Sequence, residues 1–243
     1  MGNIASWIEK SSPLFILLID PDTPLDIALK TVKTGCFNGV DIVLIGGSFI
    51  SLEDFDNFVK EIKKVSTVPV ILFPGGSGQV SGNADAILFM SLISGRNPTW
   101  LIEEQVKSAP LIKKIQLEAI PTGYMLIGSA IESAVCYVSN TRPIPFDQSG
   151  IIVAHGLAGK FLGMRLLYLD AGSGAKTPIY PEIISKLHKE VGLPIFVGGG
   201  IRTPEMAHKL MKAGAKGVVV GNLFEDFQKI DLIKNFADVI HNH

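Results

Sequence analysis

The chain has 243 residues, 47% of them hydrophobic and only 19% charged, with a formal net charge of −1. That balance gives no basic field for nucleic acid, and a chain of this length buries a core without disulfides or a structural metal. No run of about 18 uninterrupted apolar residues marks a membrane span, and no basic segment ahead of an apolar one marks a signal peptide. Cys36 and Cys136 lie far apart with no metal-type spacing, so both read as reduced thiols of a cytoplasmic protein. The mean hydropathy of +0.35 is high. Parallel strands buried on both faces would explain part of it, and an apolar groove or a homo-oligomer interface the rest.

Apolar runs alternate with amphipathic stretches from end to end. Strands are expected at 15–19, 40–45, 68–73, 85–90, within 117–127 (bent around Pro121-Thr122-Gly123), and at 166–169, 194–197 and 217–220. Helices are expected at 24–34, 52–65, 98–109 (capped by Asn97), 152–164, 181–191, from Thr203 to 211, and at 223–233. No linker divides the chain, so residues 1–243 read as one domain, a closed parallel (β/α)8 or TIM barrel. One connection is too short. Residues 74–84 read PGGSGQVSGNA, whereas a parallel crossover takes about a dozen residues and a helix. The third outer helix is therefore expected to be missing, which opens a groove in the barrel wall.

A barrel carries its site at the C-terminal ends of its strands. The last three strand ends carry glycine: Tyr168-Leu169-Asp170-Ala171-Gly172-Ser173-Gly174, then Gly199 and Gly200, then Gly221 and Asn222. Glycine lets the backbone approach an anion closely, and helix N-termini add amides and a favourable dipole. Three such ends in a row point to a phosphate. Opposite them stands Asp20, a hard oxygen ligand suited to Mg²⁺, with Ser48 as a second donor. Asp22 reads more readily as the start of a turn. Asp170, beside the phosphate loop, is a candidate general base, with support of the glycine loop as the plainer role. Tyr124 and Glu118 fall on or near the fifth strand, each as a pocket residue or ordinary core. Tyr124 joins Asp170 as a catalytic candidate. The histidines avoid the strand ends, which argues against histidine or zinc chemistry.

The motifs LIDPD, IGGS, PGGSGQVSGNADA, IPTGYMLIG, YLDAGSGAKTP, VGGGIRTPE and GVVVGN occur in order between residues 15 and 224. Together they resemble the geranylgeranylglyceryl/heptaprenylglyceryl phosphate synthase family, most closely its second group. The resemblance implies a modified TIM barrel lacking the third outer helix. It also implies a cytoplasmic prenyltransferase that joins sn-glycerol 1-phosphate to a polyprenyl diphosphate with Mg²⁺ and touches membranes only transiently. Asp20 and Ser48 match its metal positions. Tyr168 through Gly174, Gly199, Gly200, Gly221 and Asn222 match its glycerol phosphate site. The family usually has Glu where this chain has Asp170, and the shorter acid draws the carboxylate back by ~1.5 Å. Two alternatives share the glycine loops: the same reaction with a heptaprenyl donor, and a phosphosugar isomerase or epimerase barrel.

Overall fold

The computed structural model describes residues 3–50, 53–128, 133–224 and 229–242. Eight parallel strands close into a barrel in sequence order. They are β1 (Leu14–Ile19), β2 (Ile42–Ile45), β3 (Val70–Leu72), β4 (Ala86–Leu92), β5 (Glu118–Leu126), β6 (Leu166–Asp170), β7 (Ile195–Gly198) and β8 (Gly217–Val220). Every expected strand is present. Side chains alternate between two apolar layers, as the period of a strand requires. Ile16, Leu44, Leu88, Tyr124, Tyr168 and Phe196 fill the barrel. Leu17, Val43, Met125, Leu169 and Val197 face the helices.

The helices are α1 (Ile4–Lys10), α2 (Leu25–Phe37), α3 (Phe55–Val65), α4 (Glu104–Ile115), α5 (Ala134–Ser139), α6 (Ser149–Phe161), α7 (Pro181–Glu190), α8 (Pro204–Lys212) and α9 (Leu232–His241). No helix joins β3 to β4, so the connection that was too short for one lacks one. Among the described residues no helix is long and apolar enough to cross a membrane.

Four expectations change. The fifth strand is not bent: β5 pairs without a break with both neighbours. The Pro121 carbonyl accepts from Arg165 N, just below the first residue of β6, so the missing proline N–H faces a level where that strand has not begun. The helix expected to stop before Pro110 continues to Ile115 after a π-helical turn at Thr99–Glu103. The expected helix at 223–233 is instead a short 3₁₀ turn at Asn222–Phe224 followed later by α9, and residues 225–228 of that span lie outside the described residues. The apolar spacing that matters is Ile233, Phe236, Ala237 and Ile240, which α9 buries. Finally, α1 and α5 were not expected. α1 covers the N-terminal end of the barrel with Ile4, Ala5 and Ile8. Glu118 at the start of β5 accepts from Ile4 N at 2.8 Å and from Ala5 N at 2.9 Å, which satisfies two orphan amides of α1 and sets a negative charge at its positive end. Glu118 is thus remote from the strand C-termini.

Candidate active site

Strand alternation decides what reaches the barrel mouth. Leu18 and Asp20 of the first strand end, Tyr124 of β5 and Tyr168 with Asp170 of β6 all point inward, and all line one cavity of about 440 Å³. Leu169 points the other way and is fully buried against the helices.

The centre of the cavity is aromatic and acidic. Tyr124 Oη donates to Asp170 Oδ2 at 2.6 Å. The ring of Phe73 stacks on Tyr168 at 4.7 Å and meets Tyr124 edge-on at 5.9 Å. Burial raises the Asp170 pKa, against the opposing pull of the hydrogen bonds from Tyr124 and Gly172 N. Burial also lifts both tyrosines well above their usual range, with the Asp170 charge adding to it. Tyr124 is therefore a neutral donor beside the carboxylate. The two residues are 46 positions apart, and adjacent strands bring them together.

The glycine turns crowd around this pair. A Cβ on Gly198 would sit 2.7 Å from the Tyr168 hydroxyl. One on Gly199, where φ is +84°, would sit 2.8 Å from Asp170 Oδ1. Glycine is thus required here by the neighbouring side chains as well as by any anion. Ser173, Gly174, Gly199, Gly200, Gly221 and Asn222 line the cavity. Ser173 Oγ reaches Asn222 Oδ1 at 3.1 Å, which ties the turn after β6 to the turn after β8. Ala171 is buried outside the cavity, and Gly172 N donates to Asp170 Oδ1 at 2.7 Å, so that amide is already used. Arg202, which stands in the VGGGIRTPE motif, also lines the cavity. It donates to the carbonyls of Gly174 at 3.4 Å and Ala175 at 3.1 Å, bracing the loop from the side.

Beside the turn after β8, at the end of the neighbouring β1, Asp20 is half-buried and its Oδ1 accepts from Asp22 N at 2.9 Å. Desolvation raises its pKa, and the neighbouring Asp22 charge adds to the effect. A Cβ at Gly47 would come within 3.2 Å of Asp20 Oδ2, so glycine keeps that oxygen accessible. Ser48 lines the same end of the cavity. No group of three or more His, Cys, Asp or Glu converges among the described residues. This donor set fits a hard cation held by one carboxylate together with substrate oxygens, the usual habit of Mg²⁺, and does not fit a closed protein cage.

The remaining wall is largely apolar. Phe73, Phe89, Met90 and Trp100 line it on one side and Val135 and Val138 on the other. The loop that replaces the missing helix forms its edge and is pinned twice. Gln79 accepts from Gly75 N at 2.9 Å and donates to Gly47 O at 3.0 Å. Glu104 Oε2 accepts from Ser77 N at 2.7 Å. Asn97 Oδ1 accepts from Thr99 N at 3.1 Å, which starts the π turn that carries Trp100. His155, His188, His208 and His241 sit on outer helices, away from the mouth. Cys36 and Cys136 are reduced thiols, and Cys136 Sγ accepts from Ser133 Oγ at 3.0 Å.

The sequence profile of the PcrB family matches residues 5–239. The chain belongs to the PcrB family. It is 46% identical over 229 residues to the geranylgeranylglyceryl phosphate synthase of Chitinophaga pinensis, covering 93% of this chain and 90% of that protein. It is 42% identical over 223 residues to the enzyme of the same name from Methanopyrus kandleri, covering 91% and 92%. The crystal structure of (S)-3-O-geranylgeranylglyceryl phosphate synthase from Thermoplasma acidophilum, in complex with substrate sn-glycerol-1-phosphate, matches the PcrB-family chain described here with a TM-score of 0.94. The match is at 29% identity and spans 100% of both chains. The barrel fold is therefore one this PcrB-family chain shares with that enzyme along its whole length.

Proposed function

We propose that this chain joins the C3 hydroxyl of sn-glycerol 1-phosphate to the geranylgeranyl group of geranylgeranyl diphosphate through an ether bond, releasing diphosphate. One observation carries this reading. A single cavity runs from Asp20 past the Tyr124–Asp170 pair into an apolar groove, so a phosphate seat, an acid and a hydrocarbon trench meet at one point.

The acceptor phosphate sits in the glycine turns after β6, β7 and β8, with Tyr168 beneath it. Anchoring the phosphate fixes where the hydroxyl lies, which removes much of the entropy of the encounter. The hydroxyl oxygen attacks C1 of the allylic chain. The C1–O bond to the diphosphate breaks, its electron pair leaving with the diphosphate, and the hydroxyl proton passes to Asp170. The raised pKa of Asp170 makes it a better acceptor of that proton, and Tyr124 holds the carboxylate in place. Asp20 and Ser48 would hold Mg²⁺, which when bound neutralises charge on the departing diphosphate.

The donor chain lies along Phe73, Phe89 and Trp100. At ~0.8 kcal/mol per CH₂, a chain of ~20 carbons gains up to roughly 15 kcal/mol gross from burial, from which association costs subtract. Trp100 at the groove wall supports the shorter donor over a heptaprenyl chain, and the groove itself has no use in a phosphosugar isomerase. We place the enzyme in the cytoplasm as a homo-oligomer that touches membranes only to exchange lipid. The exposed Phe37, Phe161 and Leu162 support further contact surfaces.

Incubation with labelled sn-glycerol 1-phosphate, Mg²⁺ and a ladder of prenyl diphosphates tests the reaction. Label should enter the lipid phase, most efficiently with the geranylgeranyl donor. No label in that phase with any donor overturns the reading.

A further inference from the structure

The π-helical turn at Thr99–Glu103 carries Trp100, which lines the groove and packs against the inner core layer of the barrel, as Phe73, Met90 and Val135 do. In that turn Glu104 N reaches back to Thr99 O, the wide i→i+5 spacing of a π helix. Side chains hold the two carbonyls that follow, those of Trp100 and Leu101. Ser91 Oγ donates to Leu101 O at 2.8 Å. Gln105 Nε2 donates to Trp100 O at 3.2 Å and also to Met90 O. Gln105 therefore bolts the turn to the end of β4. Its Oε1 is buried with no hydrogen-bond partner in the structure. A buried amide oxygen without a partner lowers stability, so an apolar residue of equal volume would suit the wall better if packing alone mattered.

We infer that Gln105 is a positioning residue for donor length: by holding the π turn it fixes Trp100 in the groove wall and so limits how long a prenyl chain fits. This rests on the prenyl-transfer reading above. Gln105 acts through Trp100 and touches neither the reacting carbon nor the phosphate.

The test uses Gln105→Met, which keeps the volume and removes both donors. The ratio of kcat/KM for heptaprenyl over geranylgeranyl diphosphate should rise by at least about tenfold, the scale on which hydrophobic pockets discriminate chain length. The KM for glycerol phosphate should stay within about twofold, since that seat is across the barrel mouth. In a Trp100→Ala background the same substitution should leave the donor ratio unchanged, because the two changes act through one side chain. In a Trp7→Phe background, which leaves Trp100 as the single tryptophan, Gln105→Met should increase acrylamide quenching of its fluorescence. An unchanged donor ratio and unchanged quenching in a folded variant overturn the proposal. So does an equal change of ratio with and without Trp100. If Gln105→Met does not fold, Ser91→Ala releases the other carbonyl and is judged by the same readouts. Failure of the wild-type protein to use any donor defeats the reaction itself, and the quenching arm still decides whether Gln105 holds the turn.

Discussion

Tyr124 Oη donates to Asp170 Oδ2 at 2.6 Å, and that bond joins the inner faces of two neighbouring strands at the barrel mouth. Gly172 N holds the other oxygen at 2.7 Å. The carboxylate is fixed at both ends while burial works against its charge. Such an acid has a defined direction in which to accept a proton and a raised affinity for it.

Asp170→Asn preserves this shape. The amide oxygen can still accept from Gly172 N, and the amide nitrogen can donate to Tyr124 Oη. As a general base is worth about 10²–10⁴-fold, kcat should fall by that order while glycerol phosphate binds nearly as before. Steady-state kinetics with a binding titration checks this, and an unchanged kcat removes Asp170 as the base. The variant should also be more stable than the parent in the absence of substrate. The folded-state pKa of Asp170 is raised, so its contribution to stability is full below the ordinary carboxylate range and is lost as pH rises through the folded value. The Tm advantage of Asp170→Asn should therefore grow from acid toward neutral pH.

Tyr124→Phe keeps the ring contacts with Phe73 and Tyr168 and removes the hydrogen bond that lowers the Asp170 pKa. The pKa should rise further. The acidic limb of the kcat/KM profile should move to higher pH, and a shift to lower pH would count against the pair.

Asp20→Ala should abolish Mg²⁺-dependent turnover with the fold intact by circular dichroism. Excess EDTA should silence the parent enzyme in the same way. Substrate-free protein should lose nothing in Tm from the substitution, because Asp20 is desolvated beside Asp22 and its charge is a burden without a cation. Activity retained in EDTA would sink the metal assignment.

Gly199→Ala places a Cβ 2.8 Å from Asp170 Oδ1 at a φ of +84°. A non-glycine residue there costs about 1–2 kcal/mol of strain, and Asp170 must shift as well. Both Tm and kcat should fall. Gly150→Ala in α6, where a Cβ meets nothing within 4 Å, serves as the control: kcat should not change and Tm should hold or rise, since alanine favours a helix over glycine.

Most of the architecture was legible because it rests on local signals. The strands are unbroken apolar runs such as Ile42–Ile45 and Gly217–Val220, buried on both faces. The missing helix was readable because PGGSGQVSGNA is too short and too rich in glycine to form one. The features that escaped depend on distant partners. The seven residues of α1 hold as a helix through the Glu118 carboxylate, 114 positions from Ile4. The helix at 104–115 runs through Pro110 because that residue lies on its exposed side, which no propensity reveals. At the site, alternation placed Tyr168 and Asp170 together and turned Leu169 away. Arg202 sat inside a motif that drew attention to its glycines. Tyr124 could not be seen to bond to Asp170 until β5 and β6 were in register; Gln79 sat inside a motif read for its glycines, and Glu104 and Gln105 carry no motif at all.

The most direct test counts products. Purified protein with sn-glycerol 1-phosphate, geranylgeranyl diphosphate and Mg²⁺ should release one diphosphate for each glycerol phosphate converted to a lipid whose linkage survives alkaline hydrolysis, as an ether does. Diphosphate released without that lipid, or no release at all, would contradict the account.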